Sequence, residues 1–294
     1  MDATRLAAFC KQHRLPDSFR HVATDYYLPL AHWLLETRRR VPPIIGICGA
    51  QGTGKSTLAR YLAKELNDVA NWSVAVLSMD DFYLSRAERL DLSRSVHPLL
   101  ATRGPPGTHD CEMMSNHLQR LSLLGDGESM ALPRFDKARD NRAAPETWPR
   151  VNGPLDAIIL EGWCLGVAPQ ASAELETPIN ALEARHDSDV RWRTYVNSRL
   201  RDDYADVFSR LDRLVFLQTP DMDSVLRWRS EQESKLIAGT STLQPGIMSE
   251  PQLQAFVQHF ERLSRVAIAT LPSTADVTLL LDSSHQVREI RFSD

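Results

Sequence analysis

An apolar run at residues 44–48 leads into Gly49-Ala50-Gln51-Gly52-Thr53-Gly54-Lys55-Ser56-Thr57. A stretch follows whose Leu58, Leu62 and Leu66 share one helical face. No other part of the chain limits its fold as tightly. The pattern GxxxxGK[ST] between a strand and a helix lets glycine backbone turn N–H groups inward at a helix N-terminus. There they and the helix dipole hold phosphate oxygens. Lys55 would reach the β- and γ-phosphates of a nucleotide, and the Ser56 hydroxyl would bind Mg²⁺. Residues 49–57 are therefore the expected site for ATP·Mg²⁺.

Further short apolar runs at 73–79, 156–160, 214–218 and Val277–Leu281 read as strands, and helical patterns separate them. One helical face carries Val196, Leu200, Tyr204, Val207 and Leu211, and another Leu253, Phe256, Val257, Phe260 and Leu263. Strands apolar on both faces and separated by helices imply an α/β fold, a parallel sheet covered by helices. The last strand, with 282–285 as a turn and 286–292 returning, reads as a terminal hairpin. Residues 1–40 read as a helical N-terminal extension with Tyr27, Leu30 and Leu34 as its apolar stripe. Residues 85–155 hold Pro98, Pro105, Pro106, Pro133, Pro145, Pro149 and Pro154. They read as a Gly/Pro-rich insertion beside the site, too long for a simple loop and too broken for long helices. Residues 170–189 look like a polar helical excursion. No linker divides the chain, so residues 1–294 are expected to form one domain.

Charge and cysteine usage narrow the function classes. With 34 basic and 38 acidic residues the net charge is −4, which disfavours nonspecific nucleic-acid binding. The run Arg38-Arg39-Arg40 reads as a solvated helix end favoured by the dipole. No apolar run approaches the roughly 18 residues of a membrane span, and no secretory h-region is visible. Cys10, Cys48, Cys111 and Cys164 lie far apart without a CxxC, a usage that suits a reducing cytoplasm. His97, His109 and His117 are not at metal-ligand spacing, and His97 and His117 are read as non-ligands.

Two more strands end in acids: the second at Met79-Asp80-Asp81-Phe82-Tyr83 and the third at Leu160-Glu161-Gly162-Trp163. In an open parallel sheet, ligands sit outside the carboxyl ends of the strands. The phosphate loop, Asp80/Asp81 and Glu161 are thus expected around one crevice. One carboxylate would orient or deprotonate an acceptor hydroxyl, and Glu161 would stand beside the metal. The plainer alternatives are a helix N-cap at Asp80 or Asp81 and a solvated strand end at Glu161. Strand alternation would point Asp80 and Asp81 in different directions and so give them different roles. Arg134, Lys137, Arg139 and Arg142 would form either a solvated loop or a cationic wall for an anionic ligand.

Several longer stretches carry a resemblance. They are Gly46-Ile47-Cys48 with the phosphate loop, Met79-Asp80-Asp81-Phe82-Tyr83-Leu84, and Arg103-Gly104-Pro105-Pro106-Gly107-Thr108-His109-Asp110. Pro133 to Arg142, Glu161-Gly162-Trp163-Cys164-Leu165-Gly166 and Trp228-Arg229-Ser230-Glu231-Gln232-Glu233 complete the set. Over nearly its whole length the chain resembles the D-glycerate 3-kinase family, within the phosphate-loop kinases related to uridine kinase, phosphoribulokinase and pantothenate kinase. Cys48 departs from the pattern, where an Asn-like residue is more usual. The resemblance implies a phosphate-loop kinase fold, with Asp80 as catalytic base and Glu161 as the metal-side glutamate. It places Arg103, His109 and Asp110 at the acceptor, and Arg227 and Arg229 in a cationic lid. D-glycerate is the first-choice acceptor. Pantothenate, a nucleoside or a sugar phosphate are the alternatives within kinases, and a nucleotide-dependent switch is the alternative outside them. For a glycerate-like acceptor, Arg103 would hold the carboxylate, with Arg134, Arg139 and Arg142 as competitors.

Overall fold

A computed structural model describes residues 2–37, 39–238 and 249–293, with side chains through 231 in the second span. Arg38 of the basic run, and the side chains of Gln232 and Glu233, lie outside the described residues. The strands in chain order are β1 (Ile44–Gly49), β2 (Val74–Ser78), β3 (Ser129–Ala131), β4 (Phe135–Asp136) and β5 (Asn141–Arg142). Then come β6 (Arg150–Asn152), β7 (Ala157–Gly162), β8 (Arg213–Gln218), β9 (Val277–Leu281) and β10 (Val287–Phe292). Six of them form the main sheet in the order β10-β9-β8-β1-β7-β2. Neighbours are parallel except β9 and β10, the terminal hairpin, so the sheet is mixed and mainly parallel.

Side-chain alternation divides the core between the two faces of the sheet. Ile45 and Ile47 of β1, Ile159 of β7 and Leu217 of β8 pack with Leu58, Leu62 and Leu66 and with the N-terminal helices. Cys48, Ile158, Leu160 and Phe216 face the other way, against Met114, Leu118, Phe260 and Leu263. Both β1 and β7 are buried along their whole length, which is why they read as unbroken apolar runs.

The N-terminal extension is fixed to the phosphate-loop helix (Lys55–Ala70) by aromatic packing around Tyr61. Phe9, Phe19 and Tyr27 have ring centroids 5.8, 6.4 and 5.5 Å from it. Leu200–Tyr204 is a π-helical turn inside the long helical stretch, and Leu211 lies beyond that stretch's end at Ser209.

One expectation is corrected. Residues 85–155 do hold full helices, Arg86–Ser95 and Cys111–Ser122. Each is started by a side-chain cap, the Ser85–Glu88 capping box and Asp110 respectively, so the prolines fall between helices rather than within them. The 170–189 excursion is polar and helical, as its sequence implies, and turns two of its acids inward. Glu183 and Asp187 are fully buried and are neutralised by Arg193 and Arg262, at 2.9 Å for Arg193–Asp187 and 2.7 Å for Arg262–Glu183.

Candidate active site

The phosphate loop builds one wall of a cleft at the carboxyl ends of the strands. Gly52 and Gly54 take φ of +83° and +91°, conformations that only glycine adopts without strain. Thr53 and Lys55 both donate to the Ala50 carbonyl, at 2.9 and 3.0 Å, which closes the turn. Gly52 also lies against Trp228, whose Cβ would stand 3.0 Å from an added methyl group. Trp228 stacks on His285 of the terminal hairpin, centroids 4.5 Å apart. The next residue, Arg229, lines the cleft, its guanidinium 5.9 Å from the Phe256 ring centre. Arg227 instead donates to Ser224 on its own helix and is not on the cleft wall.

The cleft encloses about 600 Å³, and its lining includes Gln51, Gly52, Lys55, Ser56, Asp80, Glu161 and Arg229. Ser56 donates to Glu161 Oε1 at 2.8 Å, joining the phosphate-loop helix to the end of β7. A hydroxyl and a carboxylate at this spacing are two hard oxygen donors facing a phosphate cradle, a donor set that fits Mg²⁺. Cys48, buried in β1, donates to the Trp163 carbonyl at 3.6 Å.

The opposite wall carries Asp80, Tyr83, Arg103 and Lys137. Asp80 and Asp81 lie in a 3-10 turn, Met79–Phe82, capped by the Ser78 hydroxyl, so strand alternation is not what separates them. The turn does separate them. Asp80 faces the cleft, accepting from Tyr83 Oη at 2.8 Å and from Lys137 Nζ at 2.6 Å. Asp81 turns away, accepting from the Phe135 N–H at 3.1 Å and from Arg134 at 3.2 Å. Burial pushes the Asp80 carboxyl up, but the Lys137 ammonium and the Tyr83 hydroxyl outweigh it and hold Asp80 well below the usual carboxylate range. The Asp80 charge in turn raises Lys137. Burial raises Asp81, against the opposing pull of the Phe135 N–H and Arg134.

Arg103 reaches the cleft because of its neighbour. Gly104 takes φ +128° against Phe260, and an added Cβ would come within 2.3 Å of that ring. Thr108 closes the loop behind it, accepting from the Gly104 N–H at 3.0 Å and donating to the Pro105 carbonyl at 2.7 Å.

Four other expected acceptor residues do not line the cleft. His109 is buried, stacked on Tyr83 at 4.5 Å and hydrogen-bonded through Nδ1 to Tyr204 Oη, and burial pushes it down to about 3. Asp110 caps the helix Cys111–Ser122 and accepts from Arg142 at 2.9 Å. Arg142 also donates to the Tyr83 carbonyl at 3.1 Å, and Arg134 is taken by Asp81 and the Pro133 carbonyl. Their charges were legible, but the cap and carbonyl partners that absorb them are formed only on folding.

The residues missed in the sequence are Lys137 as the cation that enters the cleft, Tyr83 beside Asp80, and Arg14 on the lining. Arg14 ends the first helix in a left-handed conformation, φ 52°, a position without any motif to mark it. A second group, His97, Asp187 and Asp189, comes close together away from the cleft. Its Asp187 is already committed to Arg193 and to the Trp192 and Arg193 N–H groups.

No protein-family model matches the chain. Among curated proteins it is similar to an uncharacterized kinase, mug58, of Schizosaccharomyces pombe. The two are 35% identical over 226 residues, 74% of this chain and 78% of that one. The chloroplastic D-glycerate 3-kinase of Arabidopsis thaliana is 31% identical over 281 residues, 85% of this chain and 56% of the plant protein. The chain belongs to the phosphate-loop kinase family that includes D-glycerate 3-kinase. Among solved structures, a D-glycerate 3-kinase from Cryptococcus neoformans var. grubii matches with a TM-score of 0.73 at 23% identity. The match covers 95% of this chain and all of that one, a likeness of fold. The chain is thus a kinase, a phosphotransferase with an alcohol acceptor.

Proposed function

We propose that this kinase transfers the γ-phosphoryl group of ATP to a hydroxyl of D-glycerate. The observation that carries the reading is a single cleft lined by the phosphate loop, by the Asp80 carboxylate paired with Lys137, and by Arg103. The 31% identity to a protein of that name supports the same acceptor. Lys55 and the loop N–H groups hold the β- and γ-phosphates. Ser56 and Glu161 would hold Mg²⁺, which would supply positive charge against the phosphate oxygens. The acceptor hydroxyl lies against Asp80. Its proton passes to the Asp80 carboxylate as its oxygen bonds to the γ-phosphorus and the bond to the bridging oxygen of ADP breaks. Arg103 and Lys137 hold the acceptor's carboxylate, and Arg229 on the lining adds positive charge over the phosphates. Residues 1–294 act as one domain, whose two cores share one sheet, and its four buried free cysteines suit a reducing cytoplasm.

Coupled ADP release over D-glycerate, glycerol, pantothenate, uridine and ribulose 5-phosphate tests the reading. D-glycerate should give the highest kcat/KM, because a site built around polar partners rejects analogues that leave them unpaired. Turnover of another member with none on D-glycerate overturns the acceptor. Slow ADP release indifferent to every acceptor overturns small-molecule phosphorylation altogether.

A further inference from the structure

The hairpin β4–β5 carries four cations, and the structure distinguishes one of them. Arg134 is tied to Asp81, Arg139 to Asp136 at 3.5 Å, and Arg142 to Asp110. The hairpin itself is pinned from beneath. Arg89, 1% exposed, donates to the Leu84, Ala101 and Asp140 carbonyls and pairs with the Asp140 carboxylate at 2.8 Å. Lys137 alone of the four enters the cleft, and its ion-pair partner is Asp80. Both Asp80 oxygens are thereby occupied, one by Tyr83 and one by Lys137. A carboxylate satisfied on both oxygens, one of them by a cation, is a poor acceptor for a hydroxyl proton. The Lys137 side chain is 60% exposed, so water and chain flexibility let it leave that contact.

We infer that Lys137 determines acceptor specificity by exchanging partners: the acceptor's own carboxylate draws the Lys137 ammonium away from Asp80, and the freed Asp80 oxygen receives the hydroxyl proton. The inference rests on the carboxylate-bearing acceptor of the proposed function. Anion recognition and release of the base are then one event. A neutral polyol occupies the same space but leaves the Lys137–Asp80 pair closed, so it is discriminated in kcat as well as in KM. Arg103 lines the cleft but is paired with Asp140 rather than with Asp80, so it cannot perform the exchange.

The test is kcat and KM of wild type, Lys137→Ala and Lys137→Gln with D-glycerate and with glycerol, beside thermal melts. A melt within a few degrees of wild type is expected for an exposed side chain. Both variants remove the anchor and also the lock on Asp80, so the two acceptors should move in opposite directions. D-glycerate kcat/KM should fall about 10²-fold and glycerol kcat should rise several-fold, while KM for ATP stays put. Lys137→Arg, which keeps the charge, should retain much of the preference. Equal loss on both acceptors, or a fall on glycerol, overturns the exchange and makes Lys137 a general support of the cleft. A wild-type enzyme that ignores D-glycerate but phosphorylates another acceptor defeats the acceptor reading instead, so the two failures are separable.

Discussion

The two walls of the cleft are built on different principles. The nucleotide wall is contiguous: Gly49 to Thr57 supply backbone N–H groups, an ammonium and a hydroxyl from nine successive residues. Glu161 at the end of β7 and Arg229 of the helix Met222–Ala238 are brought to it from elsewhere. The acceptor wall is assembled from Asp80, Tyr83, Arg103 and Lys137, which arrive from three separate loops. Those loops are held by a second tier of ions, Asp81 with Arg134, Asp110 with Arg142, and Arg89 with Asp140. A backbone cradle depends on few side chains beyond its glycines, whereas a wall made of ion pairs depends on every member having its intended partner.

The sharpest way to break this comparison is at the adjacent acids. Asp80→Asn should lower kcat by about 10²–10⁴ by removing the base, with nucleotide affinity largely kept. Asp81→Asn should leave far more kcat and instead raise KM for the acceptor, since Asp81 holds the Phe135 N–H and Arg134 of the hairpin rather than facing the cleft. Equal losses in the two variants would erase the distinction between a cleft acid and a supporting acid.

On the nucleotide wall, Lys55→Ala should cost roughly 10²–10³ in rate, about 3–4 kcal/mol of transition-state stabilisation, with an ordinary melting curve. Near-wild-type turnover in a folded variant would refute the phosphate-loop assignment.

Arg89→Met probes the second tier. It removes a guanidinium that satisfies three carbonyls and a carboxylate, at a stability cost of about 1–3 kcal/mol. Acceptor KM should rise while KM for ATP does not, because the support it removes lies under the acceptor wall alone. Parallel changes in both constants would show that the walls are not independent.

The smallest effect concerns pH. His109 is held near 3 by burial, whereas an unfolded histidine titrates near 6.5. Below 6.5 the unfolded chain therefore binds a proton that the folded chain refuses, and stability falls as pH falls. The slope should approach about 1.4 kcal/mol per pH unit until neighbouring carboxylates begin to titrate. Denaturant melts of wild type and His109→Gln between pH 7 and 5 read this directly, and an unchanged slope in the variant would dismiss His109 as its source.

The sequence by itself determined the elements whose information is local. The phosphate loop declares itself because glycine spacing, a lysine and a hydroxyl must sit on consecutive backbone positions. The strands declare themselves because burial on both faces forces unbroken apolar runs, and their ends place Asp80 and Glu161 at one rim. The tertiary structure decided what each charge on the acceptor wall does. His109, Asp110, Arg134 and Arg142 carry the right chemistry for a polar acid, yet Tyr204, a helix N-terminus, Asp81 and the Tyr83 carbonyl reach them first. Lys137 stands in the same cationic run, and the β4–β5 turn carries it to the cleft and to Asp80. An ion pair is chosen by distance, and the distance between residues 57 positions apart, such as Asp80 and Lys137, exists only once the chain has folded.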